Sequence, residues 1–207
     1  IGLADTKKSP YTSPVSSTLR VHEIYLSLQG ESTFAGLPCV FIRLTGCDLR
    51  CSYCDTAYAF TGGETITIEA ILEQTDALAE GYPEPPLVEL TGGEPLLQKE
   101  TPALLTALCD RGFTVLLETS GAHDISGVDP RVHRILDLKC PSSGECEKNL
   151  TENIAHLRAT DEVKCVIGTR EDYAWAKDQL RQLFGKCEVL FSWVNPLAAD
   201  QASDVLK

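Results

Sequence analysis

Cys47, Cys51 and Cys54 form a C-x-x-x-C-x-x-C run in a loop that opens with Gly46. This spacing lets three thiolates converge on one small centre. A structural zinc site normally closes with four protein ligands, whereas three leave a position open for substrate. An iron–sulfur cubane normally takes four cysteines. With three, one iron stays free for an outside chelator such as the amine and carboxylate of an amino acid. That is the arrangement needed to hold S-adenosylmethionine against a reduced cluster and break its C–S bond to an adenosyl radical. The competing reading is a zinc knuckle that recruits Cys39, Cys140 or His22 as a fourth ligand.

Other strings carry chemistry of their own. TGGEP (91–95) pairs glycines, which allow close approach to the backbone, with Glu94, whose carboxyl suits an ammonium group; the same string is also an ordinary turn. ETSG (118–121) repeats the theme of carboxyl, hydroxyls and glycine, starting at Glu118. Arg43 lies inside the apolar run CVFIRLTG (39–46). A buried arginine needs a carboxylate, from a ligand or from a neighbouring acid. Asp55 and Thr56 follow the last cysteine of the run. A threonine hydroxyl together with substrate oxygens suits Mg²⁺, and Asp-Thr is equally a helix-capping pair. Cys109 and Cys165 fall on apolar faces and read as small core residues.

The elements that must position these residues follow from composition and periodicity. The chain has 207 residues, 43% hydrophobic and 23% charged, enough to bury a core without disulfide staples. Eighteen basic residues against 30 acidic give a net charge of −12, which speaks against binding nucleic acid or an anionic membrane surface. No run approaches the roughly 18 apolar residues of a membrane span. Residues 1–19 read as a flexible tail and 20–207 as a single domain. Because residues 1–19 lack the apolar stretch of a secretory signal, a cytoplasmic, reducing setting is expected, and clustered cysteines there suggest a metal. VHEIYLSL (21–28) alternates like a strand. From residue 39 onward, six strand-like segments (39–46, 87–90, 114–118, 134–139, 162–168, 187–194) are interspersed with four helix-like ones (67–80, 101–112, 147–158, 170–185). This α/β alternation predicts parallel strands with right-handed crossovers, as an open doubly wound sheet or an incomplete barrel. The cysteine loop, TGGEP, ETSG, KCPSSG and WVNP each follow a strand, so they fall on the carboxyl-end rim where such folds carry their sites.

HEIYLSLQGES, FAGLPCVFIRLTGCDLRCSYCDTAYA, VELTGGEPLLQ, LLETSG and DLKCPSSG, in that order, resemble the 7-carboxy-7-deazaguanine synthase family of radical S-adenosylmethionine enzymes over about residues 21–195. The resemblance implies an α/β fold, an incomplete (β/α)6 TIM-like barrel, usually a homodimer. It implies a lyase of queuosine and 7-deazapurine biosynthesis, upstream of tRNA modification. The reaction would convert 6-carboxy-5,6,7,8-tetrahydropterin to 7-carboxy-7-deazaguanine with release of ammonia, through hydrogen abstraction by an adenosyl radical and ring contraction. The implied cofactors are a [4Fe–4S] cluster on Cys47, Cys51 and Cys54, S-adenosylmethionine, and Mg²⁺ on Thr56. Leu28, Gln29, Gly30, Glu31, Arg43 and Thr91 would meet the pterin, with Arg43 and Glu118 as catalytic candidates. Tyr53, Cys54, Asp55, Gly93, Glu94, Cys140, Pro141, Ser142, Ser192, Trp193, Val194 and Asn195 would form the S-adenosylmethionine site. Ser32 stands where the family often has glycine, and Trp193 where proline is common. A flavodoxin- or ferredoxin-like electron donor is implied, and no direct contact with nucleic acid or membrane. Two other readings share some features. A glycyl-radical activase would use the cysteine loop but need neither LQGE nor the arginine of FIRL. A non-catalytic iron–sulfur or zinc protein would need only the thiols.

Overall fold

Apolar–polar alternation draws Thr18–Leu28 into a long strand, β1, in the computed structural model, which describes residues 17–183 and 185–194. β1 pairs antiparallel with β2 (Pro38–Leu44) on one side and with β3 (Glu64–Thr67) on the other. β4 (Leu87–Gly92), β5 (Val115–Thr119), β6 (His133–Asp137), β7 (Glu162–Ile167) and β8 (Glu188–Trp193) then add to β2, all parallel. The sheet order is β3-β1-β2-β4-β5-β6-β7-β8, so the six parallel strands follow chain order without reversal. A doubly wound sheet reverses direction at a switch point. A sheet that always adds on the same side coils instead, and β2 and β8 do not pair among the described residues. The architecture is therefore the incomplete barrel, with β1 and β3 extending it at one edge.

Among the described residues three α-helices cover the outside: α1 (Ile68–Ala79), α2 (Thr101–Asp110) and α3 (Arg170–Gln179). Thr67 caps α1 by accepting a hydrogen bond from the Ala70 N–H. Pro102 sits in the first turn of α2, where its missing N–H costs nothing. Thr169 and Asp172 form a reciprocal capping box on α3. Between helices and sheet lies the main apolar core, including Ile42, Leu44, Val88, Leu90, Leu104, Leu105, Leu108, Leu117 and Val163. Cys109 and Cys165 belong to it, as their apolar settings suggested. A smaller cluster of Cys39, Phe41, Leu87, Leu116 and Ile135 forms the floor inside the barrel, with Tyr25 and Phe34 packed against it.

Several local expectations are corrected. Residues 147–158 do not form an α-helix but two 3₁₀ segments, Cys146–Lys148 and Thr151–His156. Two asparagines divert the backbone. The Asn149 amide exchanges hydrogen bonds with Lys139 N and O. The buried Asn153 amide accepts from Ile125 N and donates to the carbonyls of Gly121 and His123. The helix expected over 170–185 ends as α-helix at Gln179 and tightens to 3₁₀ over Leu180–Leu183. β3 was not anticipated, because its four residues merge with the start of α1 in the sequence pattern. The tail read over 1–19 does not reach Thr18 and Leu19, which belong to β1, with Leu19 in the core; residues 1–16 lie outside the described ones. Among the described residues no helix is long and apolar enough to cross a membrane.

Candidate active site

Side chains alternate across a strand, and in this barrel the alternation separates two chemistries. Ile42, Leu44, Leu90, Leu117 and Val163 face the helices, while Arg43, Thr91, Glu118, Asp137 and Lys164 line an interior cleft of about 460 Å³. Cys47, Cys51 and Cys54 open onto the same cleft, as do Gln29, Gly30, Glu31, Tyr53, Asp55, Thr56, Gly93, Ser192, Trp193 and Val194. Asn195 lies outside the described residues.

All three cysteines are half-buried free thiols. Their loop is held from behind by the 140–145 segment. Ser52 N donates to Ser143 O at 2.9 Å, Ser52 Oγ to Ser142 O at 2.7 Å, and Arg50 N to Glu145 Oε1 at 2.6 Å. Ser142, Ser143 and Glu145 therefore brace the loop, and Cys140, Pro141 and Ser142, expected at the cofactor, do not line the cleft. The Ser142 N–H is itself fixed to Asp172 Oδ1 at 2.8 Å. Cys39 is buried in the floor cluster and Cys140 in the main core. Among the described residues no group of three His, Cys, Asp or Glu side chains gathers onto a single ion. A multi-iron cluster, whose ligands bind different irons, fits the three separated thiols. The Leu49 N–H already points at Cys47 Sγ, 3.4 Å away.

The TGGEP turn packs on that loop. A Cβ at Gly93 would lie 2.2 Å from Gly46 O and 2.8 Å from Cys47 Cβ, so only glycine fits. The close approach read from the sequence is thus to the cysteine loop itself. Glu94 is fully buried and turned away from the cleft. Its Oε1 accepts from Leu96 N and Thr119 Oγ1, both at 2.8 Å, and its Oε2 accepts from Ser120 N at 2.7 Å and Ser120 Oγ at 2.6 Å. The carboxyl ties TGGEP to ETSG, which corrects its expected place as an ammonium ligand.

At the opposite end, Arg43 Nε meets Glu23 Oε1 at 2.8 Å, and its Nη2 donates to Tyr25 OH at 3.2 Å. The neighbouring acid is present, yet the guanidinium also faces the cleft. Gln29 is buried; its Oε1 accepts from Glu31 N at 3.0 Å, and its Nε2 donates to Glu89. Leu28, expected at the substrate, is 62% exposed and outside the cleft lining. Thr56 precedes the 3₁₀ turn Ala57–Phe60 but makes no capping hydrogen bond; its hydroxyl donates to Asp55 Oδ1 at 2.6 Å. The capping alternative is therefore not realised. Tyr53 OH is buried with no partner among the described residues, and burial pushes its pKa up.

Four charged groups of the cleft went unread in the sequence: Glu89, Asp137, Lys139 and Lys164. Glu89, Asp137 and Lys164 interrupt apolar strand-like runs, the signal that singled out Arg43, and Lys139 ends one. Lys164 Nζ bonds Glu118, lies 2.7 Å from Glu31 Oε2 and 3.8 Å from Asp137 Oδ2. Lys139 Nζ sits 2.9 Å from the same Asp137 oxygen. Burial alone would raise the pKa of Glu118, but the Lys164 ammonium overrides it and the net shift is downward. Glu89 goes the other way. Burial, aided by the nearby Glu118 charge, lifts it from 4.5 to about 8 against the opposing Gln29 hydrogen bond. Two neighbouring acids are thus pushed in opposite directions, Glu118 toward the ionised form and Glu89 toward the neutral one.

The Radical SAM superfamily pattern matches residues 41–141, the stretch from β2 through the cysteine loop to the bracing turn. The 7-carboxy-7-deazaguanine synthase of Chlorobaculum tepidum is 47% identical over 178 residues, covering 84% of this chain and 79% of its own. That of Koribacter versatilis is 45% identical over 165 residues, 79% of this chain and 71% of its own. The chain belongs to the 7-carboxy-7-deazaguanine synthase family. The crystal structure of QueE from Escherichia coli superposes with a TM-score of 0.70 at 23% identity, covering 90% of this chain and 87% of that one, which bears on the fold.

Membership in the 7-carboxy-7-deazaguanine synthase family makes this chain a radical S-adenosylmethionine enzyme and a lyase, so the non-catalytic zinc and protein-activating readings fall away. It brings the [4Fe–4S] cluster and S-adenosylmethionine. The residues present fit them: three thiols free of disulfides, joined at the cleft by no fourth cysteine among the described residues, on a loop braced from two sides.

Proposed function

We propose that this chain converts 6-carboxy-5,6,7,8-tetrahydropterin to 7-carboxy-7-deazaguanine with release of ammonia, in queuosine and 7-deazapurine biosynthesis. The observation that carries the reading is that the three thiols share one cleft with Arg43, Gln29–Gly30–Glu31 and Glu118. Cys47, Cys51 and Cys54 would hold the cluster, and Tyr53, Asp55, Gly93, Ser192, Trp193 and Val194 would line the S-adenosylmethionine side. Together these groups supply, when bound, a hydrogen-abstracting radical.

The chain's own side chains do the orienting. Arg43, kept in place by Glu23 and Tyr25, offers its guanidinium to the substrate carboxylate, a planar match that lysine lacks. Glu31 and Glu118 accept hydrogen bonds from the N–H groups of the 2-amino-4-oxopyrimidine ring. Thr91 donates to the Glu118 carboxyl, Gln29 holds the Glu31 backbone N–H, and Phe41 with Ile135 gives the ring an apolar bed. The Thr56 hydroxyl, free of any capping role, would bind Mg²⁺ together with substrate oxygens. We place the enzyme in the cytoplasm, as a homodimer served by a flavodoxin- or ferredoxin-like donor; nine free thiols suit a reducing compartment.

The test is anaerobic incubation of the reconstituted protein with the carboxytetrahydropterin, S-adenosylmethionine, Mg²⁺ and a reductant. Appearance of the deazaguanine with one ammonia per turnover is expected. Cleavage of S-adenosylmethionine without any deazaguanine would refute the substrate assignment.

A further inference from the structure

The segment between β1 and β2 does more than turn the chain. It crosses the floor of the barrel and reaches the far strands β6 and β7. Phe34 packs edge-on against His133, with ring centroids 5.2 Å apart. Thr33 N donates to Glu162 Oε1 at 3.1 Å, and its hydroxyl to the same oxygen at 2.5 Å. Glu31 meets Lys164 Nζ at 2.7 Å. Of these three anchors, only the last lies in the cleft. Lys164 is itself buried, its side chain 8% exposed, and the same ammonium bonds Glu118 on β5. Glu31, in the β1–β2 loop, and Glu118, on β5, are far apart in sequence and share this one cation.

We propose that Lys164 is a positioning residue for the pterin: by holding Glu31 and Glu118 at once, it sets the spacing of the two carboxyl groups that meet the pyrimidine edge. The inference rests on the functional reading above and assigns a role to a residue that acts through its neighbours. Without the ammonium, Glu31, Glu118 and Asp137 would face one another beside Lys139, and Glu31 would lose its side-chain anchor, leaving the Gln29–Gly30–Glu31 segment tied to the cleft through Gln29 and Glu89. The Thr33 and Phe34 anchors would still hold the floor, so the defect should appear in substrate recognition and not in the cluster.

The experiment uses anaerobic holoenzyme carrying Lys164→Met, Lys164→Gln or Lys164→Arg, with Lys164→Gln standing in should the methionine variant not fold. For the uncharged variants the KM for the carboxytetrahydropterin should rise about tenfold or more, the scale of a lost charge-assisted hydrogen bond. Iron content and S-adenosylmethionine affinity should match wild type, kcat should fall by less than KM rises, and arginine should restore part of the KM. A KM within about twofold of wild type refutes the inference, since binding energy would then not pass through Lys164. So does a loss of iron and S-adenosylmethionine affinity parallel to the loss of turnover, which marks a purely structural residue. A wild-type enzyme inactive on the pterin would instead overturn the functional reading and this inference with it.

Discussion

Glu94→Ala should damage the fold more than it damages cofactor recognition. The wild-type carboxyl is fully buried and accepts four hydrogen bonds, from Leu96 N, Thr119 Oγ1, Ser120 N and Ser120 Oγ. The two hydroxyls can turn to other acceptors. The two backbone N–H groups cannot, and each buried donor left unsatisfied costs about 1–3 kcal/mol. Adding a share for the vacated side-chain volume, the variant should lose about 3–5 kcal/mol, a large part of the 5–15 kcal/mol that holds a typical domain. Glu94→Gln keeps the shape but sets an amide donor against donors, so about half that loss is expected. The assay is urea unfolding of anaerobic holoenzyme, followed by far-ultraviolet circular dichroism and tryptophan fluorescence, with S-adenosylmethionine binding measured separately below the transition. An unchanged urea midpoint with binding abolished would refute the reasoning, because Glu94 would then be spending its carboxyl on the cofactor.

Three further outcomes are expected. Arg43→Ala should raise the KM for the pterin about 100-fold while iron content and S-adenosylmethionine binding stay at wild-type values, as befits loss of a charge-assisted carboxylate contact; steady-state kinetics beside iron analysis checks it. Gly93→Ala places a methyl 2.2 Å from Gly46 O and 2.8 Å from Cys47 Cβ, so the cysteine loop must move. Its iron content after reconstitution should fall below about half of wild type, in line with the cost of overpacking a tight contact. Glu89 has a folded pKa of about 8 against an ordinary 4.5. Its neutral form is the one the fold favours, so its stabilising share is complete below pH 4.5 and is lost as the pH rises through about 8. Urea midpoints measured from pH 5 to pH 9 should therefore decline less steeply in Glu89→Gln than in wild type.

Much of the fold was legible because the outer faces of β2, β4, β5 and β7 are apolar and the crossovers through α1, α2 and α3 carry their own helix signals or caps. Val88, Leu90, Val115, Leu117 and Val163 gave runs that read as buried strands. The choice between open sheet and barrel was not legible, because periodicity reports which face is buried and not which strand comes next. Strand order is set by long-range pairing, here β2 on β4 and β7 on β8. The failed helix at 147–158 has a comparable origin. Its apolar spacing was adequate, but Asn149 and Asn153 are used to satisfy backbone groups of Lys139, Ile125, Gly121 and His123, and no local pattern reveals distant orphans waiting for an amide.

The site divides along the same line. Thiols, glycines and the arginine of FIRL announce themselves, because their residue types are unusual where they stand. Glu89, Asp137 and Lys164 stand in strands as unlikely as that of Arg43, and the argument that a charge inside an apolar run must meet a partner applies equally to them. Taken together, those interruptions fall on successive parallel strands: Arg43 on β2, Glu89 on β4, Glu118 on β5, Asp137 on β6 and Lys164 on β7. One charge turned to the inner face of each of these five strands is a poor core for a sheet packed on both faces. It is what a barrel interior requires if it must hold a polar ring over an apolar floor. Conversely, Glu94 and Ser142 belong to strings that looked chemical and prove to be bracing, since a motif marks what a loop must contain without saying which atoms face the ligand.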